Sequence, residues 1–357
     1  MVIKIEVVQT LSGLAAVRHE WDRLWQELGQ PSPYTSWTWL CAWGEANRIE
    51  RRLFILLARD DGGTLVGIAP LQRVPLPIPG LGVLTFIGQE TSLSPDFLVQ
   101  VGREREFCEA VLRYVSGRRS ITGVVLKMAQ PLGGAVPLLE QSFAERFGDA
   151  LIEQYSVRSI VKLPESYEAF LQTLSHDMRF KLRKARRKLA EKHALEFQHD
   201  GGEGDFNNRL NELFTLNDLR WAQSGGRRIY ESLYPRLHDA GLMKVFSLNA
   251  DGRPAAGLGA LITNNSVHAE LAGFDYEVDA RHLGKCFYGL VIEWAILNNY
   301  RFFDFSSGSE AYKLYYKPQI FPKYRVTITS SALGAFLLKK FRSLGRRIRW
   351  WREPALL

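Results

Sequence analysis

The alternation of apolar and polar positions divides the chain into two successive segments, each of which mixes strands and helices. In the first segment, apolar residues at every second position predict strands over residues 2–10, 52–59, 65–74, 82–88, 97–101 and 123–128. Apolar residues at helical spacing predict helices over residues 13–28, 36–46, 103–116 and 136–147. The three prolines within Pro75–Pro79 predict a turn or exposed loop, because proline cannot donate to a sheet ladder.

The second segment opens with a predicted strand over residues 156–163 and continues with helices over residues 166–174, 176–193, 206–222 and 231–240. Alternating residues then predict strands over residues 243–249, 253–263, 267–274, 302–305 and 324–329. A long helix from Gly284 to Asn299 separates the third of these strands from the fourth. Asp251-Gly252 and Asn264-Asn265 predict tight hairpin turns between successive strands. This order predicts a mixed α/β domain.

The length of 357 residues favours two domains, each large enough to bury its own core. We predict domains over residues 1–155 and 156–330, and a basic amphipathic helix over residues 331–357. Between Leu333 and Trp351, apolar residues fall on one helical face with Lys and Arg around them. Such a helix is typical of peripheral membrane attachment, and packing of the same face against the domain is the alternative.

The net charge of +8 comes from two local segments. Residues 179–192 contain eight Lys or Arg and one Glu, and residues 339–353 contain seven Lys or Arg and one Glu. The first segment is a helix with an apolar stripe along one face. Its cations, with Arg183 and Arg187 as candidate contacts, predict binding of a polyanion: CoA phosphates, a nucleotide-linked sugar, anionic lipid or tRNA. A solvated helix face is the alternative.

The cysteine content and the N-terminal residues predict the cellular location of the protein. Three scattered cysteines form neither a disulfide framework nor a metal cluster, which suits a reducing environment. The first residues alternate like a strand and lack the order of a signal peptide. No apolar run reaches the roughly 18 residues that a membrane span requires. We therefore expect a cytoplasmic protein, or one attached to the inner face of the membrane through residues 333–352.

The most informative motif is Arg281-His282-Leu283-Gly284-Lys285-Cys286, which comes after a predicted strand and opens a helix. A turn of this kind directs several free backbone N–H groups and the positive end of the helix dipole to one point, which suits a pyrophosphate. Residues 301–313 form a second motif after that helix, with the sequence Arg-Phe-Phe-Asp-Phe-Ser-Ser-Gly-Ser-Glu-Ala-Tyr-Lys.

Together the two motifs resemble the acyl-CoA-binding core of the GNAT acyltransferase superfamily. More narrowly, they resemble the CelD-like or BioF2-like acetyltransferases, which are relatives of the FemAB aminoacyl transferases. The resemblance implies an α/β fold of tandem GNAT-like domains, in which the second domain carries the acyl-CoA core and the first is a degenerate copy. It also implies acyl-CoA as the donor, with acetyl-CoA as the default, and no metal.

The resemblance assigns donor binding to the turn residues Arg281, Leu283, Gly284, Lys285 and Cys286. Cys286 departs from the family pattern, in which Gly or Ala is usual at this position. Its side chain is small enough to fit, and the departure favours weakened donor binding. We expect Cys286 to be a small packed residue, and a thiol with a low pKa at a helix N-terminus is the alternative.

Acyl transfer requires one group that takes the proton of the acceptor and another that protonates the departing thiolate. Glu270 lies mid-strand, beside the place that a GNAT fold gives to the thioester carbonyl, and is the first candidate base; an exposed strand residue is the alternative. Asp304 lies between two phenylalanines and needs a partner or a raised pKa, which predicts a base, a substrate contact or an anchor for the next turn. Tyr312 is the candidate acid, with Tyr315 and Tyr316 as rivals, and packing in the core is the alternative for all three.

Three functions remain open. No Ser-His-Asp order, phosphate-binding loop or metal-spaced His/Cys cluster is present, which disfavours a hydrolase or a metalloenzyme, and only His268 lies near the predicted site. The leading function is acyl transfer from acyl-CoA to an amine or hydroxyl of a sugar or cell-envelope precursor, with Lys313 binding a phosphate or carboxylate. The second is a Fem-like transferase that uses aminoacyl-tRNA. The third is a catalytically silent binding protein in polysaccharide biosynthesis, which the departure at Cys286 favours.

Overall fold

A computed structural model of the protein describes residues 3–29, 31–129, 151–199, 203–219 and 227–329. The chain divides into two units, one formed by Met1–Ser156 with Pro322–Leu357 and the other by Val157–Phe321. The predicted helices over residues 136–147 and 331–357 lie outside the described residues. Within the described residues, no helix is both long enough and apolar enough to cross a membrane.

The first unit contains two sets of paired strands. One set is a four-stranded sheet of β1 (Lys4–Val8), β2 (Ile55–Arg59), β3 (Leu65–Ala69) and β6 (Leu98–Val99), in that order. The other set is β4 (Leu71–Pro75), β5 (Gly82–Phe86), β7 (Ile121–Ala129) and β14 (Gln319–Thr329), paired in that order. The helices of the unit are α1 (Leu11–Ala16), α2 (Arg18–Glu27), α3 (Trp37–Ala46) and α4 (Glu104–Ser116).

Two predicted elements of the first unit are divided in the structure. The single helix predicted over residues 13–28 is two helices, α1 and α2, which meet at Val17. The single strand predicted over residues 65–74 is two strands, β3 and β4, which belong to different sheets and meet at Pro70. Proline has no N–H to donate, so the ladder cannot continue through it.

One strand belongs to a different unit from the one predicted. Residues 323–329 of β14 pair with β7, so this end of the chain returns to the first unit. The order of elements in the sequence predicts it as the last strand of the second domain. A local pattern identifies a strand but carries no information about its partner, which explains the difference.

The second unit contains a mixed sheet with strand order β8-β13-β12-β11-β10-β9. Its strands are β8 (Leu151–Lys162, in this unit from Val157), β9 (Leu195–Gln198), β10 (Met243–Ala250), β11 (Arg253–Ile262), β12 (Ser266–Phe274) and β13 (Phe302–Ser307). The pair β12–β13 is parallel, and the other pairs are antiparallel. The sequence pattern does not predict the short strand β9.

The helices of the second unit are α5 (Tyr167–Thr173), α6 (His176–Ala190), α7 (Glu203–Asp218), α8 (Arg227–Asp239), α9 (Tyr276–Asp279), α10 (Leu283–Leu297) and α11 (Ala311–Leu314). Helix α10 lies between the parallel strands β12 and β13 in the chain, as a crossover connection requires. The predicted hairpin turn between β10 and β11 is present, and both Asp251 (φ 54°) and Gly252 (φ 75°) adopt the left-handed conformation that a tight hairpin needs.

The two faces of this sheet are covered differently. On one face, apolar residues of β11, β12 and β13 share a buried cluster with residues of α6 and α10. On the other face, Gly273 allows α7 to approach the strand closely, because a Cβ atom at Gly273 would lie 2.6 Å from the backbone nitrogen of Asn217. The side-chain amide of Asn217 donates to the carbonyl of Ala272 (2.9 Å), which fixes α7 on β12.

We expect the substitution Gly273→Ala to destabilise the protein by about 1–3 kcal/mol, because the added methyl group must displace the backbone of α7. Gly29→Ala is the matched control, since a Cβ atom at Gly29 has nothing within 4 Å. Urea unfolding of both variants would measure the difference. Equal stabilities would contradict the close packing of α7 on β12.

Candidate functional site

The centre of the second unit is the point at which the parallel strands β12 and β13 part. They pair from Ser266–Phe302 to His268–Asp304, and along the described lengths of both strands the pairing ends there. On its other side, β13 pairs irregularly with β8 between Asp304 and Ser307. Beyond this point β12 and β13 no longer pair through their backbones, although the hydroxyl of Ser306 on β13 donates to the carbonyl of Ala269 on β12. We call this unpaired stretch the gap.

Glu270, the first candidate base, lies in a β-bulge directly beyond this point. The partners of β12 on β11 step from Ala260–Ala269 to Gly259–Leu271, so Glu270 is the extra residue of the bulge. A bulge of this kind turns a side chain away from the regular alternation. Glu270 is half-buried.

Two tyrosines of α8 lie close to Glu270. Burial raises the pKa of Tyr230, and the negative charge of Glu270 raises it further. The pKa of Tyr234 is raised for the same two reasons, burial being the larger. The hydroxyl of Tyr234 is buried and has no hydrogen-bond partner among the described residues. The face of the sheet below α8 therefore contains a carboxylate and two neutral phenols.

Asp304, the second candidate base, is buried in an ion pair. Its Oδ2 atom accepts from Arg158 Nε at 2.6 Å and lies 3.1 Å from His268 Nδ1, and its Oδ1 atom accepts from the backbone N–H of Ser306 at 2.8 Å. Burial alone would raise the pKa of Asp304, but the charge of Arg158 and the bonds from His268 and Arg158 hold it well below its usual range. Asp304 is therefore ionised and fully engaged, and it is a poor base.

The Arg281–Cys286 turn begins α10 and is held by a carboxylate of α9. Oδ1 of Asp279 accepts from the backbone N–H groups of Arg281 and His282, at 3.0 Å each. Oδ2 of Asp279 accepts from Lys192 Nζ at 3.2 Å. Bonds from His282 and Lys192 hold the pKa of Asp279 well below its usual value, although burial opposes them. The Arg281–Cys286 turn is thus held by a residue outside α10. The backbone N–H groups of residues 283–285, at the start of α10, have no carbonyl partner within the helix.

The side chains of the turn alternate between the core and the surface. Leu283 and Cys286 are buried in the core cluster of the unit. Lys285 is half-buried, and its ammonium donates to the carbonyl of Arg281 (2.9 Å). Gly284 is half-buried, and a Cβ atom there would meet only a ring carbon of Phe274, at 3.9 Å. Packing within the protein therefore does not require a glycine at 284.

Tyr312, the candidate acid, lies on α11 against the face of the sheet that α10 covers. Its ring stacks on Tyr288 with centroids 5.8 Å apart, and contacts the edge of Phe305 at 6.2 Å. Tyr312 is 42% exposed, whereas its rival Tyr316 is buried. Because residues alternate along a strand, Phe305 and Asp304 face opposite sides of β13. Tyr312 contacts Phe305 and so lies on the face that α10 covers. Glu270 lies near Tyr230 and Tyr234 of α8, on the other face.

Three other predicted site residues have partners of their own. Lys313 is buried, and its ammonium donates to the carbonyl of Ser307 (2.5 Å) and to Glu310 (2.7 Å), which closes the turn after β13. Arg183 and Arg187 are exposed on α6, where Arg183 pairs with Glu168 (2.9 Å) and Arg187 with Glu191 (3.6 Å). The structure does not place these three residues beside Glu270, and their roles as substrate contacts stay predictions.

Comparison with known proteins identifies this arrangement. A family model described as an acetyltransferase (GNAT) domain matches residues 176–314. This part of the chain is a GNAT-type acetyltransferase domain. It includes the parted strands, the Arg281–Cys286 turn and Tyr312. The resemblance to the GNAT superfamily is confirmed, and with it the α/β fold class and the prediction of an acyltransferase. No curated protein matches the chain by sequence.

Solved structures share the fold over nearly the whole chain. FemX has 10% sequence identity and a TM-score of 0.64, with 92% of this chain and 98% of FemX covered. L-PGS from Bacillus licheniformis has 12% identity and a TM-score of 0.56, with 92% of this chain and 97% of that chain covered. The C-terminal domain of a putative lysylphosphatidylglycerol synthetase from Agrobacterium fabrum has 12% identity and a TM-score of 0.54, with 93% and 96% covered. These likenesses show the fold alone.

Cys286 fits the GNAT-type turn as a small packed residue. Burial raises the pKa of its thiol to about 11, so the thiol is protonated at neutral pH. The low pKa considered from the sequence is therefore wrong. The side chain belongs to the buried core cluster of the unit. Among the residues that the structure describes, no group of three or more His, Cys, Asp or Glu side chains could hold a metal ion.

The sequence did not identify the partners that surround the candidate residues of the GNAT-type domain. Arg158 lies in the predicted strand over residues 156–163. A charged residue between small and apolar neighbours could have indicated a buried ion pair. His268 stood out only for its position near Glu270. Asp279 and Tyr234 gave no signal, because their importance depends on contacts with residues distant in the chain or in other elements.

We expect the substitution Asp304→Asn to destabilise the protein by about 3–5 kcal/mol, because it leaves the buried guanidinium of Arg158 without a counter-charge. The double substitution Arg158→Met with Asp304→Leu should recover most of this loss, because apolar residues of similar volume remove both buried charges. Urea unfolding would measure both effects. If Asp304→Asn changed stability no more than a surface substitution does, the ion pair would not have the importance that its geometry indicates.

Proposed function

We propose that this protein transfers an acyl group from acyl-CoA to an amine or a hydroxyl. The observation that supports this most directly is that β12 runs from His268, where it parts from β13, to Phe274, whose ring lies 3.9 Å from the place of a Cβ atom at Gly284 of the turn. A thioester in the gap would lie between Glu270 on one face and Tyr312 on the other. Acetyl-CoA is the default donor.

The turn suits the phosphates of the donor. The backbone N–H groups of residues 283–285 lie at the positive end of α10, a helix of 15 residues. Gly284 presents no side chain at a place where the protein has room for one, which allows close approach of a ligand to the backbone. Arg281 and Lys285 add two positive charges beside it.

The chemistry requires two proton transfers. The nitrogen or oxygen of the acceptor attacks the thioester carbonyl, and the departing thiolate gains a proton, which we assign to Tyr312. Of the two carboxylates predicted as base, Asp304 is committed to Arg158, so contact with the acceptor is assigned to Glu270. Tyr230 and Tyr234 line the same face as Glu270 and would border the acceptor.

We further propose that the acceptor is a sugar or another precursor of cell-envelope polysaccharide. The support comes from the resemblance to the CelD-like and BioF2-like acetyltransferases. Attachment to the membrane through residues 333–352 would suit such a substrate, and that segment lies outside the described residues. The same proposal places the protein in the cytoplasm. If residues 333–352 bind lipid, it would lie at the inner face of the membrane.

A Fem-like transfer from aminoacyl-tRNA is the second candidate. It is favoured by the fold that the chain shares with FemX, and by the exposed cations of α6. Several of these cations already pair with acidic side chains, such as Arg186 with Glu293 at 2.8 Å and Lys188 with Glu191 at 2.6 Å. Binding of tRNA that weakens steeply with added salt would favour this candidate over transfer from acyl-CoA.

We expect calorimetric titration to show binding of acetyl-CoA by the wild type and none by the double variant Arg281→Ala, Gly284→Glu, because the new carboxylate repels phosphate. Gly284→Ala is the sharper variant. It should be as stable as the wild type or gain up to about 1 kcal/mol, since alanine favours a helix over glycine. It should nevertheless bind acetyl-CoA more weakly. A folded wild type that does not bind acetyl-CoA would contradict the proposed donor.

We expect Glu270→Gln and Tyr312→Phe each to lower kcat/KM for acyl transfer by at least about tenfold, because each removes a polar group at the reacting atoms. Binding of acetyl-CoA should remain, since neither residue belongs to the turn. Release of free CoA thiol, measured with each purified variant, checks the first expectation, and calorimetry the second. If the wild type released no CoA thiol and both variants retained cellular function, the catalytically silent protein would be the better proposal.

A further inference from the structure

His268 has one ring nitrogen that the fold uses and one that it does not. Nδ1 lies 3.1 Å from Oδ2 of Asp304. Nε2 is buried and has no hydrogen-bond partner within the part of the chain that the structure describes. His268 is only 5% exposed, so solvent does not substitute for a partner. Buried polar atoms are nearly always hydrogen-bonded, and an exception at a functional site requires an explanation.

The surroundings determine which ring nitrogen carries the proton. Asp304 is ionised, so Nδ1 satisfies it only as an N–H donor. The guanidinium of Arg158 also faces Nδ1, at 3.4 Å, but it is itself a donor and already bonds Asp304 at 2.6 Å. The proton therefore lies on Nδ1, and Nε2 carries a lone pair. Burial and the charge of Arg158 together lower the pKa of His268 more than Asp304 raises it, so the ring is neutral at neutral pH.

The free nitrogen lies on the face of the sheet that we assign to the acceptor. His268 is the last residue of β12 that pairs with β13, and its partner on β11 is Leu261. Gly259 is two residues from Leu261 and therefore faces the same side of β11. On that side, a Cβ atom added at Gly259 would lie 3.7 Å from the ring of Tyr234. The hydroxyl of Tyr234 is a second buried polar atom on this face that no described residue contacts by a hydrogen bond.

The charged and titratable groups around His268 come from four elements. Asp304 of β13 and Arg158 of β8 contact Nδ1. Glu270 lies two residues later on β12, and Tyr230 and Tyr234 of α8 lie near Glu270. A group that donates a proton to Nε2 would thus enter beside a carboxylate and a neutral phenol, which can orient an amine or a hydroxyl.

We propose that Nε2 of His268 accepts the proton that the acceptor loses during acyl transfer. As the acceptor nitrogen or oxygen bonds to the thioester carbonyl carbon, its proton passes to Nε2, the carbon–sulfur bond breaks, and the thiolate leaves with the electron pair. Asp304 is the positioning residue that orients the ring and stabilises the imidazolium. Glu270 then binds and orients the acceptor. This inference rests on the proposed acyltransferase function.

The decisive experiment compares His268→Asn with Glu270→Gln in the full-length protein. Asparagine can still donate from the position of Nδ1 to Asp304, so the ion pair keeps its third partner while Nε2 is lost. We would measure release of CoA thiol from acetyl-CoA across pH 5–9, with water as the probe acceptor, and binding of acetyl-CoA by calorimetry.

In the wild type the rate should fall at low pH as the base is protonated. His268→Asn should lower kcat by about 10²–10⁴-fold and abolish this fall, with binding of acetyl-CoA unchanged. Glu270→Gln should keep the fall in rate at low pH and lower kcat by less than His268→Asn does. The opposite assignment, in which Glu270→Gln abolishes the pH dependence and His268→Asn retains it, would overturn the inference and leave the acyltransferase proposal standing.

A second measurement does not depend on turnover. The hydrogen on Cε1 of a histidine ring exchanges with deuterium only where water reaches the ring, and mass spectrometry resolves this residue by residue. We expect His268, which is 5% exposed, to exchange measurably in the folded protein, but more slowly than His176, which is exposed at the start of α6. A His268 that did not exchange in the folded protein would be sealed, and the inference would fail even if acetyl-CoA bound. Failure of acetyl-CoA to bind the wild type would instead remove the proposed function itself.

Discussion

The buried ion pair between Arg158 and Asp304 is the interaction on which the rest of the site depends. It joins two neighbouring strands, β8 and β13, and His268 adds the third strand, β12. Ions taken out of water are stable only when their hydrogen bonds are complete. The geometry of the three side chains is therefore restricted to one arrangement, and this arrangement fixes the place at which β12 and β13 cease to pair.

The residues beyond that fixed point separate the two faces of the gap. The bulge at Glu270 turns one carboxylate towards α8, while β13 leads through Phe305 to Tyr312 on the opposite face. A ligand in the gap would thus meet different chemistry on its two sides. The Arg281–Cys286 turn lies near the far end of β12, because a Cβ atom at Gly284 would be 3.9 Å from the ring of Phe274. The start of α10 can then hold the donor phosphates, while β12 positions the groups around the reacting atoms.

The sequence predicted the order of the elements and the chemistry of the turn, because both are local. Periodicity predicted most strands and helices of the second unit, and Asp251-Gly252 predicted its hairpin. The contacts that decide the roles of the site residues are not local: Arg158 and Asp304 are 146 positions apart. Strand pairing brings them together, and a pattern within one strand does not encode its neighbours. For the same reason the sequence did not predict that the ammonium of Lys313 donates to the carbonyl of Ser307 and to Glu310.

Asp304 illustrates how a missing partner changes a prediction of chemistry. From the sequence, a carboxylate between two phenylalanines needed a partner or a raised pKa, and it could be a base, a substrate contact or an anchor. The counter-charge of Arg158 reverses that shift and makes Asp304 an anchor. The same burial acts in the opposite sense on the neighbouring imidazole, because it disfavours the charged form of His268. A permanently ionised carboxylate next to a neutral imidazole orients the ring and leaves its far nitrogen able to accept a proton. The environment that removes one candidate base therefore creates another, on the neighbouring strand.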